Sequence, residues 1–296
     1  MINQGFKVYK DVIPSDLIDQ LLYEHEKFKR SRLSVFRAQG TTKFEFPLLD
    51  KNNNQINSIQ NPHLLGFHPK FRKQIENIIF HSNVSKCLSD FSGKNIHTHF
   101  QSMLFDKSTG TKLHQDTWYL DTSPPGNLLG VWFALEDIDE ESGPFCLYSN
   151  VEHKRFEQED YDFDDIERDK RFTNQFPNFK RFDFMPKKGD LLVWNSFVIH
   201  GAHLPKSDSK TRKSLTSHFY PISSKVQQPP IKRSFSIYNH ERPKLTKNPL
   251  IKQSTTVNPI FYNSICLILN KLGTISSYLT NDQTADEKKA QIRRIN

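Results

Sequence analysis

Residues 113–116 read Leu-His-Gln-Asp, and the His-x-Asp of His114 and Asp116 is the pairing in the chain best suited to chemistry. With 12 histidines present, about one His-x-Asp is expected by chance, so the pair needs context before it means anything. The surrounding Leu, Thr, Trp and Tyr suit a β-strand. On a strand, residues i and i+2 project from one face, so His114 and Asp116 converge on one point while Gln115 turns away. A third donor, His200, ends the apolar run "GDLLVWNSFVIH", and Gly201 after it lets the backbone pass close to a neighbour. Arg212 precedes "SLTSHFYP". A strand there, pairing antiparallel with the one that carries His200, brings its guanidinium back over the same pocket.

Two histidines and one carboxylate form the facial set of non-haem Fe(II) oxygenases, with three coordination positions left open. A closed structural zinc site wants four ligands, usually including thiolates, and no cysteine lies near these residues in sequence. Arg212 supplies a planar, permanently charged fork of the kind a 2-oxo acid's carboxylate requires. Blander readings stand beside these. His200 could be a hydrogen-bonded core histidine, and Arg212 could pair with Asp208. Trp118 and Tyr119, just past the ligands, are either core or the wall of a substrate site. Asp121 begins the turn before "SPPG", and His97, His99, His203 and His218 read as structural or surface residues. A jelly-roll binding module, an inactive oxygenase relative that retains a metal for structure, or, ranked last, a zinc hydrolase using the same three ligands remains open.

The chain of 296 residues is long enough for a sizeable core, and 24 Phe argue against disorder. Residues 225–296 hold 12 of the 41 basic and 4 of the 33 acidic groups, so they account for the whole net charge of +8. The first 224 residues balance at zero and show no basic patch interleaved with aromatics, so no nucleic-acid partner is expected. The basic tail could touch an anionic surface or partner; a solvated tail is the simpler reading. The three cysteines are far apart and form no CxxC, the N-terminus has no apolar run, and "FYNSICLILNKL" is too short and polar to span a membrane. These features predict a cytoplasmic protein.

The elements that must hold the candidate residues follow from local pattern. Residues 14–30 predict a helix with Ser15 as its cap, and 68–93 predict two short helices ending at Gly93. Strand signals cover 95–105, 128–138, 144–149, 190–200 and 214–222, separated by turns such as "DTSPPGN" and "PKKGD". The acidic segment 156–182 lacks the calcium-loop spacing and reads as an insertion or lid. Helices first and strands afterwards predict an α+β protein with a β-sandwich or jelly-roll core over 1–224 and helices within 1–93. The extension 225–296 adds one amphipathic helix, 257–279, with Ile260, Phe261, Ile265, Ile268 and Leu269 facing a core or partner.

At these residues the sequence resembles the phytanoyl-CoA dioxygenase family of Fe(II)/2-oxoglutarate oxygenases. "LHQD" (113–116), "VWFALEDIDEESGPF" (131–145), "GDLLVWNSFVIHG" (189–201) and "RKSLTSHF" (212–219) match the family's blocks in order. One block alone is weak; four in order are specific. The resemblance, over roughly 5–222, implies a double-stranded β-helix that hydroxylates a small organic molecule, with Fe(II) as cofactor and 2-oxoglutarate and O2 as co-substrates. It assigns iron to His114, Asp116 and His200, the distal carboxylate of 2-oxoglutarate to Arg212, and the lining of that pocket to Met103 and Trp132. The carboxylate at Asp116 implies hydroxylation, because related halogenases carry a small residue there. Three positions depart from the pattern: Ala202 stands for a serine, Ser58 for a lysine, and "SNVEHK" (149–154) replaces a Pro-Gly-Ser-His turn while keeping His153.

Overall fold

A computed structural model describes residues 5–39, 44–149, 155–156, 174, 177–227, 242–255 and 257–280, with side chains to 272. His153 and most of the segment 156–182 lie outside the described residues. The N-terminal part runs β1 (Phe6–Tyr9), α1 (Ser15–Lys29), β2 (Phe36–Arg37), β3 (Phe44–Glu45), β4 (Ile59–Gln60), α2 (Pro69–Ile79) and α3 (Ser82–Ser92). Pro14, not Ser15, occupies the cap position of α1, and no side chain caps it. Gly93 closes α3 at φ 68°, a left-handed conformation that suits glycine.

The strands that follow are β5 (His97–Phe105), β6 (Asp121–Ser123), β7 (Leu129–Ala134), β8 (Phe145–Tyr148), β9 (Arg181–Phe184), β10 (Leu191–Asn195), β11 (Ile199–Ala202) and β12 (Ser214–Pro221). The major sheet has the order β1-β10-β7-β12-β5-β4-β2-β3, and the minor sheet β11-β8-β9. The two form a double-stranded β-helix. The single strand expected over 190–200 is two: β10 belongs to the major sheet and β11 to the minor one, so the chain crosses between sheets at 196–198. His200 therefore sits on the short second strand. Nor does the strand after Arg212 pair with the one bearing His200, because β12 lies between β5 and β7 in the opposite sheet.

Alternation sorts the major sheet into two faces. Leu104, Leu215, Val131, Phe133, Leu191 and Val193 point outward and pack with α1, α2 and α3 through Ile18, Leu21, Phe71, Ile75 and Leu88. The opposite face turns toward the minor sheet, where Trp132, Trp194, Phe145, Leu147 and Phe184 form a second cluster. A register row crosses that inner face as Gln60, Met103, Thr216, Trp132 and Leu192.

The described residues past 225 pack on the body of the fold. β13 (Lys225–Gln227) pairs with β6, β14 (Lys244–Leu245) with β15 (Ile251–Gln253), and β15 adds in parallel to β5. The last helix, α4 (Pro259–Thr280), packs near β2 and β3. Its buried positions are Tyr262, Asn263 and Cys266, while Ile260, Phe261, Ile268 and Leu269 are exposed, so of the two expected settings, core or partner, these four do not face the core. No described helix is long and apolar enough to cross a membrane.

A buried ionic cluster ties α1 to the end of β5. Asp106 lies 3.3 Å from His25 Nδ1 and 3.1 Å from Lys29 Nζ, and it accepts the Gln55 backbone N–H at 3.0 Å. Burial pushes its carboxyl up, but His25 and Lys29 more than offset this, so the net direction is well down. A depressed carboxyl pKa contributes stability above the unfolded value, about pH 4, and loses it as pH falls below that. Asp106→Asn is expected to destabilise the fold by about 3 kcal/mol at neutral pH, since it takes the buried carboxylate from both His25 and Lys29 and leaves Lys29 only Glu26 and the Asn53 carbonyl. Denaturant midpoints of wild type and variant should keep a constant gap from about pH 7 to 5 and begin to draw together between about pH 4 and 3, without meeting.

Candidate active site

The site is built where the two sheets meet. His114 lies on an isolated bridge with His200, each backbone N–H donating to the other's carbonyl at 2.9 Å. The expected strand through 111–122 is thus a single bridge leading into a 3-10 turn, Asp116–Trp118. The i, i+2 convergence survives because the backbone is extended up to Gln115. Gln115 does turn away: its amide donates to Phe197 O and accepts from Phe156 N, tying neighbouring loops together. A Cβ on Gly201 would come within 2.7 Å of Thr111 O, so glycine there permits the close approach.

The structure brings His114, Asp116 and His200 together, one ligand atom from each lying within 4.8 Å of the others. The two imidazole rings are 4.2 Å apart. His114 Nδ1 is 2.8 Å from Lys112 O and His200 Nδ1 is 2.9 Å from Val198 O. A carbonyl only accepts, so both Nδ1 atoms carry the proton and both Nε2 atoms keep a free lone pair. Those Nε2 atoms stand 4.0 and 3.6 Å from Asp116 Oδ1. The other oxygen, Oδ2, accepts the Trp194 indole N–H at 3.0 Å. One carboxylate oxygen is held by the fold and the other faces the histidines.

Charges agree with this arrangement. Burial lowers the His200 pKa to about 3, which keeps the imidazole in its neutral, ligating form. Burial raises the Asp116 carboxyl, but the facing imidazoles of His200, His218 and His114 outweigh it, so the shift is downward. The donor set fits a divalent ion bound through two nitrogens and one oxygen.

Arg212 is reached from the opposite sheet, with its backbone N–H on Asp106 O at 2.8 Å. Its side chain is buried, with its guanidinium near the rings of Phe105 (5.8 Å) and Trp132 (5.9 Å). Nη1 donates to Gly143 O at 3.3 Å, and Nε is buried with no acceptor. Among the described residues no carboxylate forms an ion pair with it, Asp208 included; the Asp208 carbonyl instead accepts from Lys107. Burial lowers its pKa to about 10, so it stays charged at neutral pH. Met103 and Trp132 share the inner row beside it, and Ala202 is buried on β11. Ser58 Oγ accepts the Gln39 backbone N–H.

Other candidates separate. Trp118 packs with Leu113, Tyr148, Phe156 and Phe179 and donates its indole N–H to Phe156 O, so it belongs to a satellite core. Tyr119 is half exposed, 6.0 Å from the His114 ring. Asp121 Oδ1 accepts from Thr122 N, Gly126 N and Ser196 Oγ, which is the turn role expected. His97 and His99 are buried structural residues, and His203 contacts Arg181. His218 is different: it lies on the inner face with Nε2 3.4 Å from Asp116 Oδ1. The alternation of β12 placed it opposite Leu215 and Phe219, and that signal was readable in the sequence. A second cluster, Cys146, Asp183 and His203, has its carboxylate already forked by Arg181 at 2.8 and 2.7 Å, which leaves no free charge for a cation.

A double-stranded β-helix with a His-x-Asp and a distal histidine at the meeting of its sheets defines the architectural class. The profile of the family described as phytanoyl-CoA dioxygenase (PhyH) matches residues 2–214. The chain belongs to the phytanoyl-CoA dioxygenase family. Peroxisomal phytanoyl-CoA dioxygenase of Mus musculus is 24% identical over 233 residues, covering 73% of this chain and 64% of that protein. That of Bos taurus is 26% identical over 239 residues, covering 73% and 65%. The chain thus spans slightly under two thirds of these relatives. Among solved structures, EctD from S. alaskensis with 2-oxoglutarate and 5-hydroxyectoine superposes with TM-score 0.59 at 13% identity, over 86% of each chain. The non-heme alpha ketoglutarate dependent epimerase SnoN from nogalamycin biosynthesis gives 0.58 at 12%, over 84% of this chain and 91% of its own. At such identities the likeness is one of fold.

Trp194 is the test of this geometry. Trp194→Phe keeps the packing but removes the donor to Asp116 and is expected to weaken Co(II) binding roughly 10–100-fold. Gly130→Ala should do the same less directly, because its Cβ would fall 2.1 Å from the Trp194 indole. Unchanged Co(II) affinity in a folded Trp194→Phe protein would mean that Asp116 is held by something else.

Proposed function

We propose that the chain is an Fe(II)- and 2-oxoglutarate-dependent dioxygenase that hydroxylates a C–H bond of a small organic molecule. One observation carries the reading: a three-ligand set with both Nε2 atoms free shares an interior with a buried, charged Arg212 that has no carboxylate partner among the described residues. An uncompensated buried charge is expensive, and the simplest account is an anionic ligand that completes it. A zinc hydrolase would use the same three ligands and leave Arg212 without a task.

Each residue then has a definite part. His114, Asp116 and His200 hold the metal on one side only, with protonation states set by Lys112 O, Val198 O and Trp194. Arg212 takes the far carboxylate of 2-oxoglutarate between the apolar walls of Phe105 and Trp132, where low dielectric strengthens the pair. Met103 sits in the same row and helps to exclude water. When bound, iron and 2-oxoglutarate supply the oxidation: the 2-oxo acid loses CO2 to give succinate, and one oxygen atom of O2 enters the substrate C–H bond. Tyr119 borders the substrate side, while Trp118 supports the loop from behind. The three buried free cysteines suit a reducing compartment, which we take to be the cytoplasm.

Anaerobic titration with Fe(II) and 2-oxoglutarate, followed in the visible, should give a saturable absorption band that His114→Ala abolishes. Absence of any band in folded wild type would reject the oxygenase reading. Arg212→Met separates the two ligands. It should retain metal binding yet require about 100-fold more 2-oxoglutarate, the equivalent of roughly 3 kcal/mol. Without ligands the same variant should melt at or above the wild-type temperature, because an unpaired buried charge has been removed. A large fall in the melting temperature would show that Arg212 has a structural partner.

A further inference from the structure

The helix α4 offers a surface that the proposed chemistry does not use. It is held to the body by Tyr262 and Cys266, buried beside Val35 and Leu64, and by Asn263, whose amide donates to Val35 O and accepts from Phe67 N. Asn270 adds a bond to Phe44 O. Phe261, Ile268, Leu269 and Leu272 are all exposed, at spacings that place them along one side of a helix. Ile268 and Leu272 are 56% and 55% exposed, and Leu245 on β14 reaches 79%. Seven of the 17 exposed large hydrophobics on the described surface fall between residues 245 and 272.

The charge in this stretch has one sign. Residues 242–272 contain Arg242, Lys244, Lys247, Lys252 and Lys271 and no Asp or Glu. That combination selects among occupants. A second copy would bring the same positive charge, and a helix pair would need complementary flanking charges, of which α4 offers only Lys271. An anionic bilayer meets both features: apolar side chains enter the headgroup boundary while lysines and arginines are drawn to its negative potential. The helix is not long and apolar enough to cross, so it would lie along the surface.

We propose that α4, with the β14–β15 hairpin before it, is a peripheral docking face for an anionic lipid surface. The face lies beside β2 and β3, away from the metal ligands, and needs neither iron nor 2-oxoglutarate.

The test is flotation of the full, iron-free chain with phosphatidylcholine vesicles, with and without phosphatidylserine. Wild type should bind the phosphatidylserine vesicles on the order of tenfold more strongly, and added salt should weaken this binding. The double variant Ile268→Glu/Leu272→Glu should lose binding with its thermal midpoint unchanged, since both side chains are exposed. If that variant proves less stable, the wild-type ratio between the two vesicle types decides alone. No binding, equal binding to neutral vesicles, or equal binding by a folded double variant would overturn the proposal. So would a concentration-dependent dimer, seen without vesicles, that the two substitutions dissolve. Because the measurement is made without iron, its failure leaves the oxygenase reading intact, and a missing chelate band leaves this one intact.

Discussion

The arrangement rests on two reciprocal hydrogen bonds between the backbones of His114 and His200. No longer ladder supports them, since the bridge is isolated. It joins the loop after β5 to the edge of the minor sheet, with a further backbone bond from Ala202 N to Thr111 O at 2.9 Å. The same local device then aims both rings: each histidine donates Nδ1–H to the carbonyl two residues before it. Ring orientation and tautomer follow from the backbone path alone. Gly201 makes the path possible, because any Cβ would press on Thr111 O.

Two buried charged groups in the same neighbourhood show what a completed and an uncompleted ion pair look like. Asp106 is surrounded by Lys29, His25 and the Gln55 N–H, and every strong partner belongs to the fold. Arg212 hangs from the same residue by its backbone, yet its guanidinium meets aromatic rings and one carbonyl. Burial alone does not separate the two. The difference is compensation, and a protein keeps a lone buried charge only where something else supplies the counter-charge. The satisfied cluster also fixes the strand end from which Arg212 is hung, so stability at Asp106 and geometry at Arg212 share a backbone bond.

Much of this was legible in the sequence because period-2 alternation and turn residues mark strands directly. The three ligands, Arg212 and the inner-face Trp132 follow from motif spacing and family blocks. What escaped was decided by long-range pairing. The run 190–200 reads as one strand, but the chain changes sheet at 196–198, which no local propensity records. Arg212 was assigned a neighbour in the wrong sheet for the same reason. His218 escaped because a histidine on a strand is usually structural, although Leu215 and Phe219 already fixed which face it takes. On α4 the apolar pattern was legible, but not whether it met the core or a partner. With apolar residues on both sides of the helix, asparagines settled the matter, since Asn263 and Asn270 find carbonyls only against the body.

The two sides of the metal site are built from different material. Around Arg212, Trp132 and Phe105, with Met103 in the neighbouring row, stand on long, buried strands in a register shared by β5, β12 and β7. Tyr119 stands half exposed at the end of a short turn, with its backbone N–H on Asp116 O at 3.0 Å and Trp118 docked behind it. Strand positions change only with the register of the whole sheet, because a one-residue slip moves every inner side chain outward. Turn positions are free of that constraint. The rows that carry Met103, Trp132 and Phe105 are therefore constrained by the whole sheet, whereas the turn that carries Tyr119 is not. The same division is compatible with a fold shared with EctD and SnoN at only 13% and 12% identity.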